Sequence, residues 1–300
     1  MISERLRLGI IGMSPGNGHP YSWAAICNGY DQIIMEDCGF PVIPRYLEKQ
    51  KYPADFIQNV KVTHIWTQDK ELSENIAKAS KIDYVVNDFV DLIGSVDAVL
   101  LARDDAEHHL YFARPFLEAG IPIYIDKPLA LSVNKAKEIL NLQCYSGQIF
   151  SCSALRYADE LLPDSSKLSG IGNIKSIIGL TPKDWDKYAI HVIEPVLRLL
   201  PDDNEAIHTS RWETDGRTSL HILFSSGIDA LIGAYGDCNF PINLKILGTA
   251  GCIDMQFRDT FQCFKKALED FIVSAIEKKQ RIHASSMLRV VSLIEAGRII

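Results

Sequence analysis

The feature that most constrains this chain is an alternation in its first half. Short apolar runs at residues 6–11, 61–66, 96–101, 121–125 and 148–153 are separated by segments of helical spacing at 71–80, 106–119 and 134–142. In the segment 71–80, Leu72, Ile76 and Ala79 share one helical face. Runs that are apolar at nearly every position fit strands buried on both faces, and parallel strands need crossover helices. The first half therefore predicts a doubly wound parallel sheet covered by helices.

After residue 153 the pattern changes. Strand candidates at 174–180, 219–224, 228–234, 242–247 and 252–255 follow one another closely, some through short turns such as Ser225-Ser226-Gly227. Such spacing predicts an open, largely antiparallel sheet. Two helices are expected to close the chain. In the first, Phe261, Phe264, Leu268, Phe271, Ile272, Ala275 and Ile276 form one broad apolar face. The second runs from about residue 285 to the end. The whole is an α/β chain of two domains, 1–152 and 153–300, consistent with a length of 300 residues. Residues 38–53 read as a long surface loop.

Composition limits the partners. Lys and Arg number 31 against 38 Asp and Glu, a net charge of −7 with no basic stripe, which argues against nucleic acid. The seven cysteines are dispersed, with no C-x-x-C pair, so neither a disulfide framework nor a structural zinc site is expected. Buried reduced thiols in a cytoplasmic protein are the plainer reading. The apolar run that follows the first seven residues is too short for a signal peptide or a membrane span. No metal and no membrane partner are expected.

The loop after the first run, Gly12-Met-Ser-Pro-Gly-Asn-Gly-His19, precedes a helix that Pro20 opens and Gly29 ends. A strand, a Gly-rich turn and a helix N-terminus form an anion site. Against the dinucleotide pattern G-x-G-x-x-G, only Gly12 stays in register, with Ser14 and Asn17 at the other two positions and Gly16 nearby. From the letters alone, a phosphate site and an ordinary turn are equally supported. Where a ribose-binding carboxylate is usual, the second strand ends in Thr67-Gln68, and Asp69 comes late. NAD and NADP both remain open.

Asp126-Lys127-Pro128 follows an apolar strand, at the edge where α/β sheets bind ligands. A lysine there can exchange a proton with a hydroxyl once desolvation or a neighbouring cation favours its neutral form. Taken alone, a surface Lys-Pro turn is the commoner reading. His191 and Glu194 lie three apart, on one side of a helix that Pro195 is expected to open near Glu194. A capping histidine is here the plainer alternative to a proton shuttle. Of His108 and His109, one is expected to face a nucleotide and the other solvent. Tyr157, beside Arg156, is either a substrate contact or a hinge aromatic.

Taken together, these residues resemble the glucose–fructose oxidoreductase / inositol dehydrogenase (Gfo/Idh/MocA) family. The resemblance rests on Leu8-Gly-Ile-Ile-Gly12, Val96-Asp-Ala-Val-Leu100 with His108 after it, Glu118 to Ala130 around Asp126-Lys127-Pro128, Arg156-Tyr157, Leu247-Gly-Thr-Ala-Gly251 and Leu293-Ile-Glu-Ala-Gly297. It implies a Rossmann domain followed by an α/β domain whose open sheet forms an oligomer contact, in a homodimer or homotetramer. It also implies NAD(P)-dependent hydride transfer with a carbohydrate-like small molecule: a sugar, cyclitol or sugar nucleotide. Residue by residue, it implies Lys127 and His191 as the proton-handling pair. Gly12, Ser14, Gly16, Asn17, Thr67, Gln68, Arg103, His108, Asp126 and Pro128 are then expected along the cofactor, and Tyr157, Tyr188 and Glu194 near substrate. The departures are Ser14 and Asn17 in the glycine loop, Arg103-Asp104-Asp105 for the usual Thr-Pro, and Lys187 where an Asp often precedes the histidine by four. Two other functions compete with the oxidoreductase. One is a binding or regulatory protein that kept the fold and lost redox chemistry. The other is a redox-neutral elimination or epimerisation with tightly held cofactor.

Overall fold

The computed structural model describes residues 5–298. The sequence readings on Met1–Glu4 and on the last two residues lie outside this range. In chain order the elements are β1 (Leu6–Ile11), α1 (His19–Asn28), β2 (Val60–Trp66), α2 (Lys70–Ala79), β3 (Tyr84–Val85), β4 (Ala98–Leu101), α3 (His109–Glu118), β5 (Ile123–Ile125), α4 (Val133–Leu140) and β6 (Ile149–Phe150). There follow β7 (Ile174–Thr181), α5 (Ile190–Arg198), β8 (Ala206–Thr214), β9 (Arg217–Phe224), β10 (Asp229–Ala234), β11 (Asn243–Gly248), β12 (Cys252–Gln256), α6 (Thr260–Glu277) and α7 (Ala284–Ala296).

The chain forms two compact units that are discontinuous in sequence. The first holds the described residues up to Leu129, with Lys137–Ser151 and Phe264–His283. The second holds Ala130–Ala136, Cys152–Cys263 and the described residues from Ala284 onward.

The first unit is built on a parallel sheet of order β3-β2-β1-β4-β5-β6. Its strands are short and apolar because both faces are covered; every residue of β4 and β5 is buried. Helix α1 is buried along nearly its whole length, from Pro20 to Cys27. Trp23 stacks on Tyr124 at 4.7 Å, and Phe271 of α6 packs against Tyr124 and Phe150 at 5.6 and 5.8 Å. Of the apolar face expected on α6, Ile276 turns out to solvent, 62 % exposed.

The second unit carries a sheet of order β12-β11-β7-β10-β9-β8, in which only the β7–β10 pair is parallel. The turn at Ser225–Gly227 closes the β9–β10 hairpin, with Gly227 at φ +81°. The edge strand β8 is exposed along most of its length, so it lacks the alternation that would have revealed it.

Three expectations need correction. Residues 38–53 are not a surface loop: Val42–Leu47 is a short helix with Ile43, Tyr46 and Leu47 buried, and the Tyr46 hydroxyl donates to Ser22 Oγ. The spacing i, i+3, i+4 is that of an inward helical face. Pro195 does not open its helix but lies inside α5, which starts at Ile190. A proline there forfeits one backbone bond, which burial on neighbouring turns compensates. None of the cysteines lies in a disulfide among the described residues, and Cys144, Cys238 and Cys252 are exposed rather than buried.

Candidate active site

In the first unit the strand order reverses between β1 and β4, and open α/β sheets bind ligands at the carboxyl ends beside such a reversal. The loops after β1, β4 and β5 meet there. Gly12 ends β1, and a Cβ on it would stand 2.5 Å from Pro20 Cγ, so α1 closes on the strand only over a glycine. Gly16 has φ +79° with open space where a Cβ would point. Gly18, the residue before α1, offers no side-chain cap, and the Asn17 Oδ1 accepts from the His19 N–H. An open, glycine-bearing loop running into the positive end of a ten-residue helix fits a nucleotide phosphate.

At the end of β2, Thr67 is buried and bonded to Ser73 Oγ, and Asp69 caps α2 by accepting from the Glu71 and Leu72 N–H groups. Asp69 is therefore engaged in its own helix. Gln68 faces the loop: its amide accepts from Met13 N–H at 3.1 Å and donates to Met13 O at 2.9 Å. Arg103 Nη1 donates to the Gln68 side chain at 3.0 Å and to Gly12 O, and its guanidinium stacks on Phe112 at 4.7 Å. Arg103 also grips Asp105 through two bonds, at 2.9 and 2.6 Å. Burial would raise the Asp105 carboxyl, but the Arg103 hydrogen bond and charge outweigh it and hold that carboxyl below the usual range. The expected cofactor residues Thr67, Gln68 and Arg103 thus bracket the underside of the glycine loop.

Asp126 is 1 % exposed and anchors the same loop. It accepts from Asn17 Nδ2 at 2.9 Å, meets His19 Nδ1 at 2.6 Å, and accepts from the Lys127 N–H at 2.7 Å. His19 in turn stacks on Trp23 at 4.9 Å, whose buried indole N–H has no hydrogen-bond partner among the described residues. The Lys127-Pro128 bond is cis. Lys127 is buried, with Nζ 3.5 Å from Asp104 Oδ2. Ser14 Oγ donates to Asp104 Oδ1 at 2.6 Å.

Of the two histidines, His108 is the exposed one and lies 3.0 Å from Asp105. His109 is fully buried, with Nε2 2.7 Å from Arg103 O and Nδ1 3.1 Å from Leu129 O. It ties the loop after β4 to the one after β5, a role a doublet of histidines does not reveal in sequence. His109→Leu removes the ring N–H from which one of these two buried carbonyls accepts, and a loss of about 1–3 kcal/mol is expected. Thermal or denaturant unfolding measures it.

In the second unit, His191 and Glu194 lie on one side of α5 and converge on Ser153. Ser153 Oγ is 2.7 Å from His191 Nδ1, and the Ser153 N–H donates to Glu194 Oε2 at 2.5 Å. Glu194 is 2 % exposed and 3.8 Å from Arg156. Burial pushes its carboxyl up to about 7, against the pull of Arg156 and of the Ser153 hydrogen bond. Asp184 caps a turn by accepting from the Lys187 N–H, and Asp186 pairs with Arg298 at 3.0 Å. Ser153 is therefore the group on His191 Nδ1, a partner that sequence reasoning missed because the two are 38 residues apart. The Tyr188 ring meets His191 edge-on at 5.2 Å and carries Lys183 Nζ over its face at 4.4 Å. Tyr157 ends a short turn, Ala154–Tyr157, beside Arg156.

Among the described residues no cluster of three or more His, Cys, Asp or Glu is placed to hold a metal ion. No helix there is long and apolar enough to cross a membrane.

Residues 38–153 match the family model described as an oxidoreductase family with an NAD-binding Rossmann fold. The matched stretch contains Asp126-Lys127-Pro128 and begins after the glycine loop. No curated protein matches the chain in sequence. Solved structures agree in fold over nearly its whole length. A scyllo-inositol dehydrogenase from Lactobacillus casei is 14 % identical, with 99 % of this chain and 97 % of that one covered at a TM-score of 0.73. A myo-inositol dehydrogenase from Lactobacillus casei, solved with NAD(H) and myo-inositol, is 14 % identical, with 98 % and 93 % covered at 0.71. A myo-inositol 2-dehydrogenase from Lactobacillus plantarum is 14 % identical, with 97 % and 95 % covered at 0.70. The expected parallel-sheet domain, antiparallel second sheet and oxidoreductase resemblance are thus met. Residues 38–153 resemble the Gfo/Idh/MocA oxidoreductase family, an NAD-binding Rossmann family, and the chain shares the fold of these inositol dehydrogenases.

Proposed function

We propose that this protein is an NAD(P)-dependent oxidoreductase that moves a hydride between nicotinamide and a hydroxyl or carbonyl carbon of a sugar, cyclitol or sugar nucleotide. The observation that carries this reading is Lys127: a buried ammonium at the carboxyl end of β5, beside the loop that fits a phosphate. The cyclitol class draws support from the inositol dehydrogenases that share the fold.

Backbone groups of the Gly12–Gly18 loop and the first turn of α1 would hold the cofactor's phosphates, with Gln68 at the ribose end. The bound nicotinamide supplies or takes the hydride. The rest is done by side chains. Lys127 Nζ binds the reacting oxygen, stabilises the charge that develops on it and, with His191, handles the proton that oxygen gives or takes. Its burial keeps water from competing for that oxygen. The part of His191 in that proton transfer falls to Nε2, the ring atom that Ser153 does not engage. Tyr157 and Tyr188 are proposed substrate contacts. The exposed Ile207 and Trp212 on β8 suit the oligomer contact that the family resemblance implies, in a homodimer or homotetramer.

Calorimetry with cofactor-stripped protein and NAD(H) or NADP(H) tests the reading. Binding of one of them at micromolar affinity, about −8 kcal/mol, is expected. Binding of neither by folded protein would overturn it in favour of a family member without redox chemistry.

A further inference from the structure

Two departures from the family pattern lie 90 residues apart in sequence and touch in space. Ser14 stands where the dinucleotide motif has its second glycine, and Asp104 follows β4 where the family usually has Thr-Pro. Ser14 is fully buried, and its hydroxyl is engaged twice by one residue: Oγ–H donates to Asp104 Oδ1 at 2.6 Å, and Oγ accepts from the Asp104 N–H at 3.1 Å. A serine hydroxyl has one proton to give, so this pair consumes it. The carboxylate is thereby fixed in rotation, and its other oxygen, Oδ2, is the one 3.5 Å from Lys127 Nζ. Asp104 and Lys127 are 8 % and 4 % exposed. A buried ammonium without a counter-charge is costly, so the placement of this carboxylate governs where the ammonium rests.

We propose that Ser14 and Asp104 are positioning residues that couple the glycine loop to Lys127, with Ser14 orienting Asp104 and Asp104 holding the ammonium. The proposal rests on the oxidoreductase reading only for its kinetic consequence. It gives Ser14 a role other than cofactor contact. Its side chain turns inward onto Asp104, so the substitution of the second glycine is matched by the residue that replaces Thr-Pro. Neither departure makes this sense alone: a glycine at 14 would remove the hydroxyl that bonds Asp104 Oδ1, and Thr-Pro at 103–104 would take the carboxylate away from the buried Ser14 hydroxyl.

The test compares wild type with Ser14→Gly, Ser14→Ala, Asp104→Asn and the Ser14→Gly/Asp104→Asn double variant. One readout is the acylation rate of Lys127, followed by peptide mass spectrometry at fixed pH, which needs neither cofactor nor turnover. Asp104→Asn removes the charge-assisted contact that holds Nζ in place, so the amine meets the reagent more readily and that rate is expected to rise about tenfold. Both Ser14 variants are expected to raise it in the same direction, and the double variant no further than Asp104→Asn alone, as for residues acting in one chain. The second readout is kinetic. In Ser14→Gly, which restores the motif glycine, kcat is expected to fall about 10- to 100-fold through misplacement of Lys127. Cofactor affinity is expected to stay within about threefold, since the lost contact is to Asp104 and not to the cofactor.

Ser14 variants that leave Lys127 acylation at the wild-type rate overturn the coupling. So does a rise in cofactor Kd with kcat intact, which would make Ser14 a cofactor ligand. If wild type binds neither cofactor while the acylation pattern appears as described, the coupling stands and the oxidoreductase reading falls.

Discussion

Lys127→Arg is expected to fold normally and to lose turnover by about two to four orders of magnitude, the range for removing a positioned proton-transfer group. The substitution keeps a positive charge against Asp104, so the buried pair survives. A guanidinium stays protonated at any working pH and cannot exchange the proton that the reacting oxygen gives or takes. Lys127→Met is expected to lose at least as much, but it also strands the Asp104 carboxylate 8 % exposed. Breaking a buried pair by removing one partner costs about 3–5 kcal/mol, so part of that loss would be unfolding. Combining Lys127→Met with Asp104→Asn removes the stranded charge and separates the two effects. In every folded variant the affinity for cofactor is expected to hold, because Lys127 acts on the reacting oxygen. Steady-state kinetics with whichever cofactor calorimetry identifies, beside circular dichroism, makes the measurement. Full turnover in Lys127→Arg would remove Lys127 from proton transfer and leave it an electrostatic role.

The fold was legible where physics acts locally. Strand β4 is apolar at every position and β1 nearly so from Leu8 onward, so these runs stand out from the helices between them, and the alternation of strand and helix points to a parallel sheet. The edge strand β8 was hidden because exposure of most of its residues leaves no periodicity to read. Asp126-Lys127-Pro128 was legible as a motif, but the work of Asp126 was not. Its partners Asn17 and His19 lie more than 100 residues away and meet it only because β1 and β5 end on the same edge of the sheet. The same holds for Ser14 with Asp104 and for Ser153 with His191: each is a short polar side chain with no periodicity, brought to its partner by topology. His109 was masked differently. Beside His108, its sequence context says nothing about which ring is buried, and that is decided by the turn through which α3 begins.

Glu194→Gln is expected to change how stability depends on pH, more than its value at any one pH. Two effects oppose each other at this carboxyl. A unit charge pair at 3.8 Å attracts by about 4 kcal/mol at an effective dielectric near 20, which is what Arg156 offers. Burial of a carboxylate costs several kcal/mol, and here burial prevails, lifting the carboxyl from 4.5 to about 7. The sign follows from linkage. Between 4.5 and 7 the folded chain holds a proton on Glu194 that the unfolded chain has released, so this group's contribution is fully present below 4.5 and is lost as pH rises through 7. At 1.36 kcal/mol per unit, the loss is about 3 kcal/mol. Glutamine keeps the shape and an oxygen for the Ser153 N–H but does not titrate. The stability difference, variant minus wild type, should therefore rise by about 3 kcal/mol between pH 4.5 and 7.5, and by little beyond. Denaturant unfolding of both proteins across that range reads it directly, and the difference cancels every other titrating group. A flat difference would mean that Arg156 wins and that Glu194 is ionised throughout. Because the Ser153 that Glu194 holds by its N–H also meets His191 Nδ1, the ionisation that weakens the fold is expected to fall on the same serine that orients the histidine.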